Sequence, residues 1–485
     1  MRSIFSKEEV TIKIICIVLF VLSCTMIVSA KCTFLIVGKH ASEDGSILIA
    51  RNEDLEGSWA KHIILNPATE YEPGKTITST NDFVWNLPGK TLKYLSVKDW
   101  APTYGLYHEC AINSEQVAVS ATTTAHQNAK AKEADPLINN GIGENLITTL
   151  VAQQASTALE GVKMVGEIVD TKGASESFGM AIGDPNEVWL LEIGGGHHWV
   201  AVKVPDNAYF IGANALRIGE VDLSDKANFQ GSADLVDFAI KHQLYDPESG
   251  EPFHFAKAYG TAESYKVRNY RRVWGGINYL TPSAQLDPES KNYPLFNQPD
   301  EKISLKNAME LMRYHYQGTE YDSILVNPEE RGIGTFSTIE SHILQLRNWL
   351  PNEIGGVQWI ALATPLASPF IPYYVGIEEL PAVYQQGSDY YDDDSAYWAF
   401  RTLAILSSND FEGKGQTIAE KWDQFENKQL AVQPYLEKTL HQLFHDGQQE
   451  TAIDMINQFS NGQCLLALHK AYKYKADYLT QMSNQ

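Results

Sequence analysis

Two short apolar runs, Thr33–Val37 (TFLIV) and Ser46–Ala50 (SILIA), flank the polar stretch GKHASEDG. β-Branched and aromatic residues suit a pleated strand, and Asp44-Gly45 is the strongest local turn former, so this segment predicts an antiparallel hairpin. Its centre falls near Ala41 or Ser42. The end of the second strand then returns beside the start of the first, which brings Arg51, Asn52 and Asp54 near Cys32. Further strands are predicted near residues 116–121, 188–193, 199–204 and 209–212. Between the first two, the segment from about Ile142 to Ile168 carries small and aliphatic residues in GENLITTLVAQQASTALEGVKMVGEIV, a helical pattern suited to packing over a sheet. Ser304 fits an N-cap before a helix in ISLKNAMELMRYHYQ. Residues 355–365 read as a strand and turn, and residues 396–480 as two or three helices. The mixture predicts an α+β class.

The first thirty residues follow another pattern. Arg2, Lys7 and Lys13 precede the apolar run Ile14–Val21, and Val28-Ser29-Ala30 offers the small residues a signal peptidase accepts. Residues 1–30 are expected to be an export signal, so the mature chain is expected to be secreted or associated with the cell envelope. Val21-Leu22-Ser23-Cys24 loosely matches a lipid-attachment box as a competing reading. No later stretch approaches the roughly 20 apolar residues a spanning helix needs.

Net charge is −22, and residues 1–31 hold four basic and two acidic side chains, so their removal takes it to −24. A field of that sign repels nucleic acid. Of five cysteines, Cys16 and Cys24 leave with the signal, and Cys32, Cys110 and Cys464 remain. An odd number in an exported chain leaves at least one thiol free or paired with another chain, three cysteines do not make a disulfide scaffold, and no CxxC pair suggests zinc. No metal or cofactor is expected. The acidic stretch SDYYDDDS, 388–395, lacks the glycine and terminal glutamate of a calcium loop and reads as a solvated turn or helix start.

A cut near residue 31 would make Cys32 the first residue. A free α-amine has a reference pKa near 7.7–8.0, close enough to neutrality to exchange protons with the thiol on the same residue. A nearby guanidinium favours the thiolate and can hold a carboxylate in its fork. The plainer reading makes Cys32 a buried strand residue and Arg51 with Asp54 a surface ion pair. Cys110 with His108, two residues away, offers a weaker Cys–His pair, and Cys464 reads as helix packing.

CTFLIVGKHASEDGSILIARNEDLEG resembles the amino-terminal signature of the C69 family dipeptidases, cysteine members of the N-terminal nucleophile hydrolases. Later blocks resemble the family in order: WAPTYGLYHECAINSEQVAVSATTTAHQN, ESFGMAIGDPNEVWLLEIGGGHHWVAVKVPDNAYFIGANALRI, HYQGTEYD and GVQWIALATP. The resemblance implies a four-layer αββα fold over residues 32–395, with insertions near 230–300 and a helical extension at 396–485. It implies a dipeptidase with Cys32 as nucleophile and its own amine as general base, Arg51 and Asp54 beside it, and Asn113 or Asn214 at the oxyanion. For a dipeptide's charged ends, Arg51 is the expected carboxylate partner, and Glu192 or Asp184 a candidate for the ammonium. His197 is expected to line the pocket. Lys31 departs from this scheme. It blocks the amine after a cut at Ala30, so self-cleavage or a processing peptidase is required. Rival readings are an acylase of the bile-salt or penicillin V type and an exported binding protein without catalysis. A homo-oligomer is a further expectation.

Overall fold

The computed structural model describes residues 31–261 and 266–483. The leader expected at 1–30 lies outside them. Strand β1 (Lys31–Val37) pairs antiparallel with β2 (Ile47–Asp54), with Cys32 opposite Glu53 and Lys31 opposite Asp54. The predicted turn is present: Gly45 takes φ +87°, a conformation open to glycine, and Asp44 Oδ1 accepts from the Ser46 backbone N–H (2.9 Å) and hydroxyl (2.6 Å).

This hairpin is the centre of a seven-stranded antiparallel sheet. Its order is Phe296–Asn297, Tyr209–Gly212, β1, β2, Thr338–Leu346, Val357–Leu362 and Ile371–Tyr374. A second antiparallel sheet of eight strands runs Phe229–Gly231, Trp199–Lys203, Val188–Ile193, Phe178–Gly183, Ala118–Thr124, His108–Asn113, Tyr94–Asp99 and Lys61–Asn66. The two sheets face each other through a core that joins Ile36, Ile49 and Leu344 to Val97, Ile112 and Leu190. The opposite face of the eight-stranded sheet buries Val119, Ile182 and Leu191 with Leu150, Val162 and Val169 of helices Glu144–Gln154 and Ala158–Lys172. Helices Val267–Leu280 and Leu305–Met312 cover the seven-stranded sheet. The layers are thus helix, sheet, sheet, helix, in an α+β chain.

Two differences from expectation have physical causes. The single helix expected from Ile142 to Ile168 is two helices, because Thr157 caps a new start by accepting from the Glu160 N–H (3.2 Å). The insertion expected at 230–300 contains the fourteen-residue helix Val267–Leu280, whose arginines hid it as surface sequence. The helical extension, Ala396–Asn409, Gln416–His445 and Gln449–Ser483, packs into the same continuous core as the seven-stranded sheet, to which Trp422, Leu440, Ile456 and Cys464 belong. Among the described residues no helix is long and apolar enough to cross a membrane.

Candidate active site

Alternation along β1 and β2 decides which side chains meet. Cys32, Arg51 and Glu53 point between the sheets, while Lys31, Thr33, Asn52 and Asp54 point toward the covering helices. Cys32 is fully buried. Arg51 Nη2 lies 3.6 Å from its Sγ and donates to Glu109 Oε2 at 2.8 Å, while Nη1 donates to the carbonyls of Glu109 (3.2 Å) and Ala121 (2.5 Å). Glu109 also holds Lys61 Nζ at 2.8 Å, and that ammonium pairs with Glu53 (2.7 Å) and Asp99.

Electrostatics follow from this burial. Desolvation pushes the Cys32 thiol up to about 12 against the pull of Arg51, so with Lys31 attached the sulfur carries its proton. Burial pushes Glu109 up too, but Lys61 and then Arg51 outweigh it and hold its carboxyl at about 2. Glu53 is raised well above the usual carboxylate range by burial and then by the neighbouring Glu109.

The main chain around Cys32 is held as firmly. Its N–H donates to Asn214 Oδ1 (3.1 Å), an oxygen that also accepts from Arg272 Nη2 (2.9 Å). Arg272 Nη1 donates to the Cys32 carbonyl (2.5 Å) and to Thr33 Oγ1 (3.1 Å). Asn269 steadies both partners: its Oδ1 accepts from Arg272 (2.8 Å) and its Nδ2 donates to the Asn214 carbonyl (3.0 Å). Burial and then Arg331 lower Arg272 to about 10, which leaves it charged at neutral pH. Asp54 pairs with Arg331 and accepts from Thr338 Oγ1 (2.5 Å), and Arg331 Nη2 also reaches the Lys31 carbonyl at 3.3 Å.

Of the residues expected in the site, the structure brings Cys32, Arg51 and Asn214 together. Asp54 lies on the other face of the hairpin from Arg51, three residues on, and orients Arg331 instead. The Arg51 fork expected to bind a substrate carboxylate is filled by Glu109. Asn113 does not reach Cys32: its Nδ2 donates to the Ala152 (3.1 Å) and Ala155 (2.7 Å) carbonyls at a helix end, and its Oδ1 accepts from the Glu115 and Val117 N–H groups. Glu192 is buried, raised to about 7 by desolvation, and receives the Arg217 (2.7 Å) and Ile218 (2.9 Å) N–H groups, so it pins the segment that carries Asn214. Asp184 accepts from the Ala158 N–H (2.8 Å) at a helix start. His197 and His198 both turn to Asp135, whose carboxylate accepts from the His197 N–H (3.0 Å) and meets His198 Nδ1 at 2.7 Å.

The Cys110–His108 pair does not form. Val97 sits opposite Cys110 and Lys98 opposite His108, so Glu109 is the extra residue of a β-bulge. That bulge sends Cys110 between the sheets and His108 outward to Thr149, and it aims Glu109 at Arg51. Ser120, His342 and Glu340 form a hydrolase-like row (2.8 and 2.9 Å), but all three are fully buried, so we read them as a polar tie between the sheets. Glu109, Lys61, Asn269, Arg272 and Arg331 were not foreseen. Charged residues inside apolar patterns, as in VRNYRRVWGG, were the available signal.

A profile described as peptidase family C69 matches residues 31–424, most of the chain. The chain belongs to peptidase family C69. The matched region takes in every residue of the Cys32 site and runs past residue 395 into the helix Gln416–His445. This C69 peptidase is 40% identical over 364 residues to a probable dipeptidase of Salmonella dublin, covering 74% of this chain and 83% of the relative. A probable dipeptidase of Latilactobacillus sakei is 34% identical over 78% of this chain and 81% of its own. A probable dipeptidase B of Streptococcus pyogenes serotype M1 is 32% identical over 86% of each.

Proposed function

We propose that this C69 peptidase is a dipeptidase whose nucleophile is the Cys32 thiol, freed by cleavage of the Lys31–Cys32 bond and assisted by its own α-amine. The relatives' names support the substrate class. The helix–sheet–sheet–helix layering supports the N-terminal nucleophile fold, and the leader pattern supports export.

The observation that carries the reading is the Cys32 residue itself: sulfur 3.6 Å from the Arg51 guanidinium and nitrogen 3.1 Å from Asn214 Oδ1. Once Lys31 is gone, that nitrogen becomes an amine near neutrality. It takes the thiol proton while Arg51 favours the thiolate. Sulfur attacks the dipeptide carbonyl. The amine hands its proton to the leaving amino acid, and a thioester remains. Water, deprotonated by the same amine, then releases the acyl residue and restores the thiol.

Mass spectrometry of the mature amino terminus together with a dipeptide hydrolysis assay tests this. The active chain is expected to begin at Cys32, and Cys32→Ala to lose activity by at least about 10³-fold, the scale of losing a nucleophile. Full activity in a chain that retains Lys31 would sink the reading. Hydrolysis of acyl amides in preference to dipeptides would point to the acylase class.

A further inference from the structure

The peptide bond between Lys31 and Cys32 is held on both sides by protein groups. Its N–H donates to Asn214 Oδ1 (3.1 Å), its carbonyl oxygen meets Arg331 Nη2 (3.3 Å), and the next carbonyl along receives Arg272 Nη1 (2.5 Å). We propose that Arg331 is the oxyanion donor for self-cleavage of Lys31–Cys32, and that the same guanidinium then receives the carbonyl oxygen of the dipeptide. This rests on the Cys32 reading above and adds a residue to it.

Three features favour Arg331 in that role. It is fixed in advance: Asp54 pairs with its guanidinium, Thr338 holds Asp54 (2.5 Å), and the Tyr316 hydroxyl donates to the Arg331 carbonyl (2.6 Å). A donor that need not reorganise is what stabilises developing charge. Its side chain is mostly buried, at 15% exposure, where a charge acts more strongly than in water, and its Nε is buried without an acceptor among the described residues. A further N–H is therefore present on the cation that already meets the carbonyl. Finally, Lys31 sits in a cationic corner. Burial, then Arg331 and Arg268, pull its ammonium below the usual range. That positive field also favours the negative charge that develops on the Lys31 carbonyl oxygen.

The chemistry balances with water as the only co-reactant. A sulfur electron pair forms a bond to the Lys31 carbonyl carbon, and the carbonyl π pair moves onto the oxygen facing Arg331. Collapse breaks the carbon–nitrogen bond, and the thiol proton ends on the Cys32 nitrogen as it leaves. Water then splits the thioester, releasing Lys31 as a carboxylate and returning the thiol. Because one sulfur performs both reactions, the dipeptide carbonyl must occupy the place that the Lys31 carbonyl vacates, beside the same donor.

The test uses the full-length chain, leader included, made in a membrane-free translation reaction so that no signal peptidase acts. Release of residues 1–31 is followed by intact mass. Arg331→Ala is expected to slow release by about 10²–10³-fold, the scale of losing one oxyanion donor. Arg331→Lys should fall between, and added methylguanidinium should restore much of the rate to Arg331→Ala. After full conversion, Arg331→Ala should show lowered kcat for dipeptides with KM changed only a few-fold. Release at the wild-type rate from Arg331→Ala overturns the proposal. So does slow release that methylguanidinium leaves unchanged while the thermal midpoint drops, which marks a structural role, and so does an undiminished kcat. A wild-type chain that keeps Lys31, or a Cys32→Ala chain that sheds it, overturns the parent reading and this one with it.

Discussion

Glu109 is one carboxylate serving two buried cations, Arg51 and Lys61, each at 2.8 Å. Removing its charge strands both, and breaking a buried pair by deleting one partner costs about 3–5 kcal/mol. Glu109→Gln is therefore expected to lower stability at pH 7 by that order and to loosen Arg51 against Cys32. The sign with pH follows from its depressed pKa. The folded value of about 2 lies below the ordinary carboxylate value, so the contribution is present above about pH 4.3 and is lost as pH falls through 2. Denaturant titrations of wild type and Glu109→Gln should differ most near pH 7 and converge toward pH 2. An equal difference at both pH values would contradict this account. Cys32 and Arg51 were legible because one hairpin places them, within twenty residues of sequence. Glu109 was not, because it arrives from another sheet on a bulge, and an extra residue in a ladder leaves no mark in an apolar pattern. The same bulge separates Cys110 from His108, the weaker alternative pair. Asn113 failed differently: an asparagine that ties down a helix end looks, in sequence, like one that binds an oxyanion.

Elements were legible where their pattern was local. Strands Val188–Ile193 and Tyr209–Gly212 stand where alternation and turns put them, and Ser304 caps its helix with Asn307 in a reciprocal box. The helix Val267–Leu280 was not legible, because it buries arginines: Arg271 and Arg272 are 2% and 0% exposed. Charges on a helix normally mark its solvent face, but Arg272 is turned inward onto the Cys32 carbonyl, Thr33, Asn214 and Asn269. This helix also sets Arg331 from a distance. Gly275 lets it approach Tyr316, and a Cβ there would run into the ring carbon Cε1 of Tyr316, whose hydroxyl holds the Arg331 carbonyl. Tyr316 is fully buried and has nowhere to retreat. Gly275→Ala is expected to cost about 1–3 kcal/mol by overpacking and to slow leader release although position 275 touches no reacting atom. Thermal unfolding and the release assay measure the two effects, and unchanged values in both would show that the ring yields freely.

Across the whole molecule, the question left open by sequence is whether residues 396–485 form an appendage. Their helical periodicity was legible, but a periodic face does not say whose core it enters. The helix Gln416–His445 is fastened to the sheet layers by groups that lose water in the process. Arg313 pairs with Glu426 (2.5 Å) and Arg347 with Glu437 (2.7 Å), Trp422 Nε1 donates to the Ala367 carbonyl (2.8 Å), and the Phe370 N–H donates to Glu426 (2.8 Å). Glu426 is fully buried, so its charge is tolerated only while those partners surround it. Removing the helices would leave Arg347 unpaired and expose the apolar surface around Trp359 and Tyr373 that they help enclose. We therefore expect the mature chain to unfold in one calorimetric transition, with the calorimetric and van't Hoff enthalpies in agreement. A chain ending at residue 395 should be insoluble or lack a cooperative transition. Two separable transitions in the mature chain, or a soluble and active truncation, would mean that the helices are an independent unit and that the core counted across the boundary at 395 is not cooperative.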